Sequence, residues 1–250
     1  MRALSFCGLA VLLAACGKSS GAMDAGRQVD TSCGLDCEAQ QRFGLVVGRC
    51  VQYSDTKTAT PAGMPPAMAT VVQPVFTLED NVKVLPVEYR QGGQIRMTDS
   101  FTFTPAGDLK LVRREFAGNG SVSFQNDQGV LTGVTWLTGT TAAGDTATSS
   151  VQADVIGRPG GRVKEATTYK ASALSPTADE LVTPEKSYDG GLTLLFSETP
   201  EHAADSRRTY VAGEGFVIIA TPLGYGNAAI PYRQQKRLDG DGGFFDCSVQ

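Results

Sequence analysis

The stretch DSFTFTPAGDLKLVRREFAGNGSVSFQNDQGVLTGVTWLT, residues 99–138, decides the fold class. Phe101 and Phe103 alternate with threonines, and Val122 and Phe124 alternate with serines. A period of two places apolar groups on one face of a strand and hydroxyls on the other. Between these runs stand PAGD, AGNG and NDQG, rich in Gly, Asn and Asp, which accept positive φ or set turn geometry. Short strands joined by tight turns predict an antiparallel meander.

The pattern extends in both directions. Upstream, Val71 to Leu78 and Val82 to Arg90 are rich in valine and aromatics, with Asp80-Asn81 placed to turn the chain between them. LVVGRCVQY reads as a strand carrying Cys50, and TATPAGMPPAM (58–68) breaks regular structure with prolines and glycine. Downstream, GLTLLFSE, RRTYVAG, GFVIIATP, AIPYRQQKRL and GFFDCSV read as strands. The tripeptide AGD recurs at 106–108 and 143–145, each time at a predicted hairpin. Two short helices are predicted. CGLDCEAQQRFG supplies one; SPTADELVTPEKS (175–187) supplies the other, with Ser175 as N-cap, Pro176 at the first helical position and Pro184 ending it. Strands and helices do not alternate, which argues against a parallel α/β fold. The expectation is a mainly β chain, its antiparallel meander curled into a half-barrel, barrel or sandwich.

Composition bounds the class. The 250 residues are 41% hydrophobic and 19% charged, enough apolar content for a core. The net charge of −4 and a pI near 5.1 argue against nucleic acid, whose partners carry a basic face.

The N-terminus carries an address. Met1-Arg2 precede an apolar run, Ala3 to Ala15, that is signal-peptide length and too short to span a bilayer. Leu13-Ala14-Ala15-Cys16 resembles the lipobox of bacterial lipoproteins, an aliphatic residue and two small ones before a cysteine. The resemblance implies cleavage before Cys16, a diacylglyceryl group on its thiol and an acyl chain on its new amino terminus. Two or more chains hold a protein stably at a membrane, where one does so marginally. Position 17 is Gly rather than the aspartate that retains such proteins in the inner membrane, which favours the outer membrane of a diderm envelope. The expected organisation is a signal peptide over 1–15 and a flexible tether over 16–32. A cysteine-containing segment (33–57) follows, packed on an antiparallel β domain over 69–250.

Of six cysteines, Cys7 leaves with the signal and Cys16 takes the lipid, so Cys33, Cys37, Cys50 and Cys247 remain. An even number in an oxidising compartment reads as two disulfides. Each of the three possible pairings joins Cys247 to one of the N-terminal three, closing a loop of about two hundred residues. Zinc sites use cysteine pairs in both halves, whereas the second half here holds one cysteine.

Motifs for chemistry are weak. The single histidine, His202, lies in the polar stretch SETPEHAADSRR near Asp205, and no G-x-S-x-G elbow presents a nucleophile. GKSS lacks the glycine of a phosphate loop, the required position being Leu12. In DGDGGFFD, Asp239, Asp241 and Asp246 form a weak calcium candidate. An EF-hand loop needs an oxygen ligand where Gly243 stands and a glutamate where Gln250 stands. Trp136 with Phe101, Phe103, Phe116 and Phe124 reads as sheet core before it reads as a ligand cavity.

The resulting expectation is a non-enzymatic, lipid-anchored envelope module that binds another protein or the cell wall and needs no cofactor. The alternatives are a lipid or lipoprotein carrier with an apolar concave sheet face, and a hydrolase without a recognisable motif. A first prediction follows from the cysteines: thiol titration of the unfolded, unreduced mature chain finds no free thiol. Four free thiols would overturn both the disulfides and the oxidising compartment.

Overall fold

The computed structural model describes residues 34–55, 68–118, 120–158, 161–183, 186–200, 207–220 and 235–238. They form one short helix, α1 (Cys37–Arg42), and fourteen strands. The strands are β1 (Cys50–Asp55), β2 (Ala69–Val72), β3 (Phe76–Thr77), β4 (Lys83–Gln91), β5 (Gln94–Phe103), β6 (Leu109–Phe116) and β7 (Gly120–Gln125). They continue as β8 (Val134–Leu137), β9 (Thr146–Arg158), β10 (Gly161–Leu174), β11 (Leu192–Thr199), β12 (Arg207–Val211), β13 (Gly215–Ala220) and β14 (Gln235–Leu238). All pairs are antiparallel within one sheet, in the order β2-β1-β14-β13-β12-β11-β10-β9-β7-β6-β5-β4-β3. A further pairing of β2 with β4, Val72 opposite Val87, brings the sheet round on itself. The result is the expected meander, curled into a nearly closed barrel. Leaving aside β3 and β8, the ring has twelve strands.

Two strands of this ring are interrupted. Pro74 cannot donate to a ladder, and the predicted strand Val71–Leu78 accordingly divides into β2 and β3, both lying along β4. Likewise β7 and β8 both lie along β6, separated by an excursion over 126–133. Beyond that excursion β8 pairs with β6 alone, and beside β9 the Thr135 N–H donates to Ser149 Oγ at 3.1 Å.

Turn chemistry falls where the residues predict it. Asp80 and Asn81 both adopt positive φ (61° and 58°) and turn the chain from β3 into β4. Asp80 Oδ2 also accepts the Leu131 N–H at 3.2 Å, tying this turn to the 126–133 excursion. The second helix is shorter than predicted. A single 3-10 turn, Ala178–Leu181, starts from Thr177, because the Glu180 carboxylate reaches back to the Thr177 N–H in a capping box. The strand holding Cys50 starts at Cys50 itself, after a turn in which Gly48 has φ 80°. The longest hairpin, β9–β10, is absent from the predicted strands: its solvent-facing residues are Thr, Ser and Lys and much of its inward face is Ala, so the apolar alternation is faint.

Burial divides into an interior and two outer patches. The interior cluster runs from Leu85 and Phe101 through Trp136, Phe124 and Tyr169 to Phe196 and Phe216. Outside the wall, Val84, Val112 and Leu131 form one covered patch. Tyr188, Val217 and Ile218, packed with Leu181, form the other beneath the 3-10 turn. The remaining strand faces meet water with Thr146, Thr148, Ser150, Lys164 and Lys170, all exposed. The same region of the sheet also exposes Ile156, Leu174 and Leu195.

Helix α1 plugs one end. Asp36 caps it by accepting the Ala39 N–H at 2.9 Å. Its Ala39 and the following Phe43 enter the interior cluster. Phe43 stacks on Phe103 at 6.0 Å between ring centroids and tilts against Tyr210 at 5.8 Å. The chain leaves the helix at Gly44, φ +65°, so close to the β12–β13 hairpin that a Cβ there would lie 2.5 Å from Gly215 N. Gly92 has a similar φ, +58°, but nothing within 4 Å of a Cβ. Gly92→Ala should therefore cost only the left-handed backbone penalty, about 1–2 kcal/mol. Gly44→Ala should cost clearly more and loosen the plug; equal melting temperatures for the two variants would contradict this packing.

Candidate functional site

Interior-facing positions of three neighbouring strands and one on the opposite wall carry a buried polar and charged cluster. Tyr89 comes from β4, Asp99 from β5, Arg114 from β6 and Arg208 from β12, each at most 2% exposed. Asp99 and Arg114 are direct cross-strand partners. The guanidinium of Arg114 forks onto the carboxylate, Nε to Oδ1 at 2.6 Å and Nη2 to Oδ2 at 2.9 Å. Arg208 reaches the same carboxylate from the opposite wall, Nη2 to Oδ2 at 3.0 Å, and also donates to the Tyr89 hydroxyl. That hydroxyl donates to Asp99 Oδ2 at 3.0 Å. Aromatic rings enclose the cations: Arg208 lies 4.5 Å from the Trp136 ring centre, 5.1 Å from Tyr89 and 5.2 Å from Phe216. Arg208 Nε and Trp136 Nε1 are buried without hydrogen-bond partners, so the ring faces carry part of this solvation.

Burial by itself would raise the Asp99 carboxyl, but the Arg114 and Arg208 guanidiniums outweigh it and hold it below the usual carboxylate range. Burial likewise pushes the Tyr89 and Tyr169 phenols far above their ordinary value. Asp99 stays ionised and both phenols stay neutral at neutral pH. With its members closed off from solvent, the cluster can hold walls together; no substrate reaches its carboxylate.

A second feature lies at the plugged end. Between α1 and the turns at 137–141 and 190–192 opens a cleft of about 450 Å³. Leu192 and Val211, both part-exposed, and the edge of Tyr210 give it an apolar wall, with Phe43 and Leu137 buried behind them; Thr138 and Thr141 add hydroxyls. Arg42 is the charged residue in its lining. The Arg42 carbonyl is pinned by the Tyr210 hydroxyl and the Gly213 N–H, each at 2.8 Å. Burial pushes the Tyr210 phenol up to about 12, the nearby Arg42 pulling against it. The Arg42 guanidinium reaches across the end of the cleft towards glycines. A Cβ on Gly139 would lie 2.8 Å from Nη1, and one on Gly107 3.2 Å. Its side-chain partner is Glu38, Nη2 to Oε1 at 2.9 Å, whose side chain is 80% exposed.

The sequence-predicted site residues fall as follows. Cys37 and Cys50 are buried, and each is engaged in a disulfide. Cys16, Cys33, Cys247, His202, Asp239, Asp241 and Asp246 lie outside the described residues. Among the described residues no group of three His, Cys, Asp or Glu side chains is placed to hold a metal ion. Trp136, Phe101, Phe116 and Phe124 are core: Trp136 meets Phe101 edge-on at 5.0 Å and Phe196 at 4.3 Å. The ion network and the cleft were not anticipated. The one local signal for the network was a carboxylate, Asp99, at an inward position of an otherwise apolar alternation. No family model, no curated protein and no solved structure matches the chain.

Asp99→Asn removes the charge that neutralises two buried guanidiniums and should destabilise the protein by about 3–5 kcal/mol. The sign with pH follows from the lowered carboxyl. Its stabilisation is complete above the unfolded value near 4 and is lost as the pH falls through the lower folded value. Urea unfolding between pH 7 and pH 2 should show a steeper acid loss for wild type than for Asp99→Asn. Parallel curves would refute this role.

Proposed function

We propose that this chain is a non-enzymatic envelope lipoprotein, a solid β-barrel module tethered by acyl chains on Cys16 and working at the outer membrane by binding another envelope component. The observation that carries the reading is the filled interior. Aromatic rings and the ion network occupy the barrel, and a void beside Tyr53, Tyr89 and Phe216 measures about 20 Å³, room for a single water. A carrier that shelters lipid inside its barrel needs a cavity of hundreds of cubic ångströms. This supports binding at the outer surface and ends of the barrel.

Three features agree with this reading. The lipobox-like Leu13-Ala14-Ala15-Cys16 is followed by a polar stretch suited to a tether. Exposed Thr146, Thr148, Ser150, Lys164 and Lys170 on the outer faces of β9 and β10 support attachment through the lipid on Cys16. No helix among the described residues is long and apolar enough to cross a membrane.

Cell fractionation tests the reading. Wild type should sediment with outer membranes and gain the mass of its acyl groups, whereas Cys16→Ser should lose both and keep its β spectrum. Equal distribution of the two between soluble and membrane fractions would defeat it.

A further inference from the structure

We propose that the cleft at the plugged end binds a monoanionic amphiphile, its carboxylate held by Arg42 and its hydrocarbon body laid against Leu192, Val211 and the edge of Tyr210. The inference rests on the binding-module reading above and names the ligand class of that module.

Size and chemistry both point this way. The cleft's volume of about 450 Å³ lies in the range of small-molecule sites, which are mostly apolar with a few placed polar groups. The lining matches that description, with one charged side chain set at one end. Arg42 has donors to spare: among the described residues its side chain bonds only Glu38, through Nη2. That pair is solvent-exposed and contributes little, so it yields readily to a carboxylate held in a drier setting.

Position is built in as well. The Arg42 main chain is pinned through its carbonyl by Tyr210 and Gly213, and the guanidinium head occupies space that side chains at Gly107 and Gly139 would fill. Gly139 does not have a positive φ, so no backbone requirement explains glycine there; the approach of Arg42 does.

The charge selects the ligand. A planar guanidinium matches a carboxylate with two parallel hydrogen bonds. A single cation, already half-shared with Glu38, balances one negative charge and leaves a phosphate dianion uncompensated. The acyl chains expected on Cys16 are esters and an amide, without a carboxylate, so Arg42 discriminates against the protein's own lipid.

Titration calorimetry tests this with sodium octanoate and 1-octanol, probes that share a tail and differ in head group. All proteins carry Cys16→Ser, so the outcome does not depend on lipidation. Octanoate should bind about tenfold more tightly than octanol, the worth of one charge-assisted hydrogen bond. Arg42→Gln should bring octanoate down to the octanol level while octanol binding is unchanged. Gly139→Ala, compatible with its backbone, should displace the guanidinium and weaken octanoate selectively. Near-UV circular dichroism checks that each variant keeps its packing. Equal binding of the two probes to wild type, or no heat from either at millimolar concentration, would overturn the proposal. Membrane retention of the lipidated protein would be untouched by that result, so the anchor reading stands or falls separately.

Discussion

The carboxylate of Asp99, shared between Arg114 and Arg208, is the constraint on which the barrel depends. Around the twelve-strand ring, β5 and β12 are six steps apart in either direction. The Arg208–Asp99 pair therefore joins opposite walls, and the Arg114–Asp99 pair joins neighbours. Desolvating such charges costs several kcal/mol per ion, recovered only with good geometry and additional hydrogen bonds. The network supplies both, through the forked Arg114, the Tyr89 hydroxyl and the rings of Trp136 and Phe216 over Arg208. A slip of one residue in β5 or β6 would turn Asp99 or Arg114 to the outside and leave the remaining charges buried and unpaired. The ions thus penalise wrong registers more than they add to stability.

Because the interior is committed to packing, binding in the proposed envelope role falls to surfaces. The plugged end offers one shaped surface, the cleft beside α1. There α1 brings Phe43 into the core and Arg42 to the rim, while glycines at 44, 107, 139 and 215 let backbones and the guanidinium approach closely. Plug and cleft are made by the same few residues. The N-terminal segment is accordingly part of the barrel's closure, with β1 in the ring between β14 and β2.

The outer patches follow one logic. At two places where strands turn apolar side chains to the outside, a connecting segment covers them, whereas Ile156, Leu174 and Leu195 stay exposed. The excursion over 126–133 covers Val84 and Val112 with Leu131. The 3-10 turn brings Leu181 over Val217 and Ile218, and Arg207 of β12 fastens it by donating to Glu180 Oε1 at 2.8 Å. Burial alone would raise the Glu180 carboxyl; the Thr177 N–H and Arg207 hold it below its usual range. These segments are long because they close gaps that a meander with tight turns alone would leave exposed.

By itself the sequence determined the class of fold, because period-two alternation and turn residues act within a few neighbours. Phe101, Phe103, Val122 and Phe124 point inward as their spacing requires, and Asp80-Asn81 turn the chain where positive φ is tolerated. Only the tertiary structure decided which arginine is inside. In LKLVRREF a simple alternation from Leu109 and Leu111 would send Arg113 inward and Arg114 out. A bulge opposite Ser100 and Phe101 inserts Val112 as an extra residue, and the parity reverses: Arg114 enters the core, Val112 joins an outer patch and Arg113 faces Ser123 across the outer surface. The same occurs where Val217 is the extra residue opposite Thr209 and Tyr210. The ion network and the cleft escaped sequence reading for one physical reason. Their members are up to 168 positions apart, as Arg42 and Tyr210 are. Proximity at that separation is set by sheet closure and bulge placement, which no local pattern encodes.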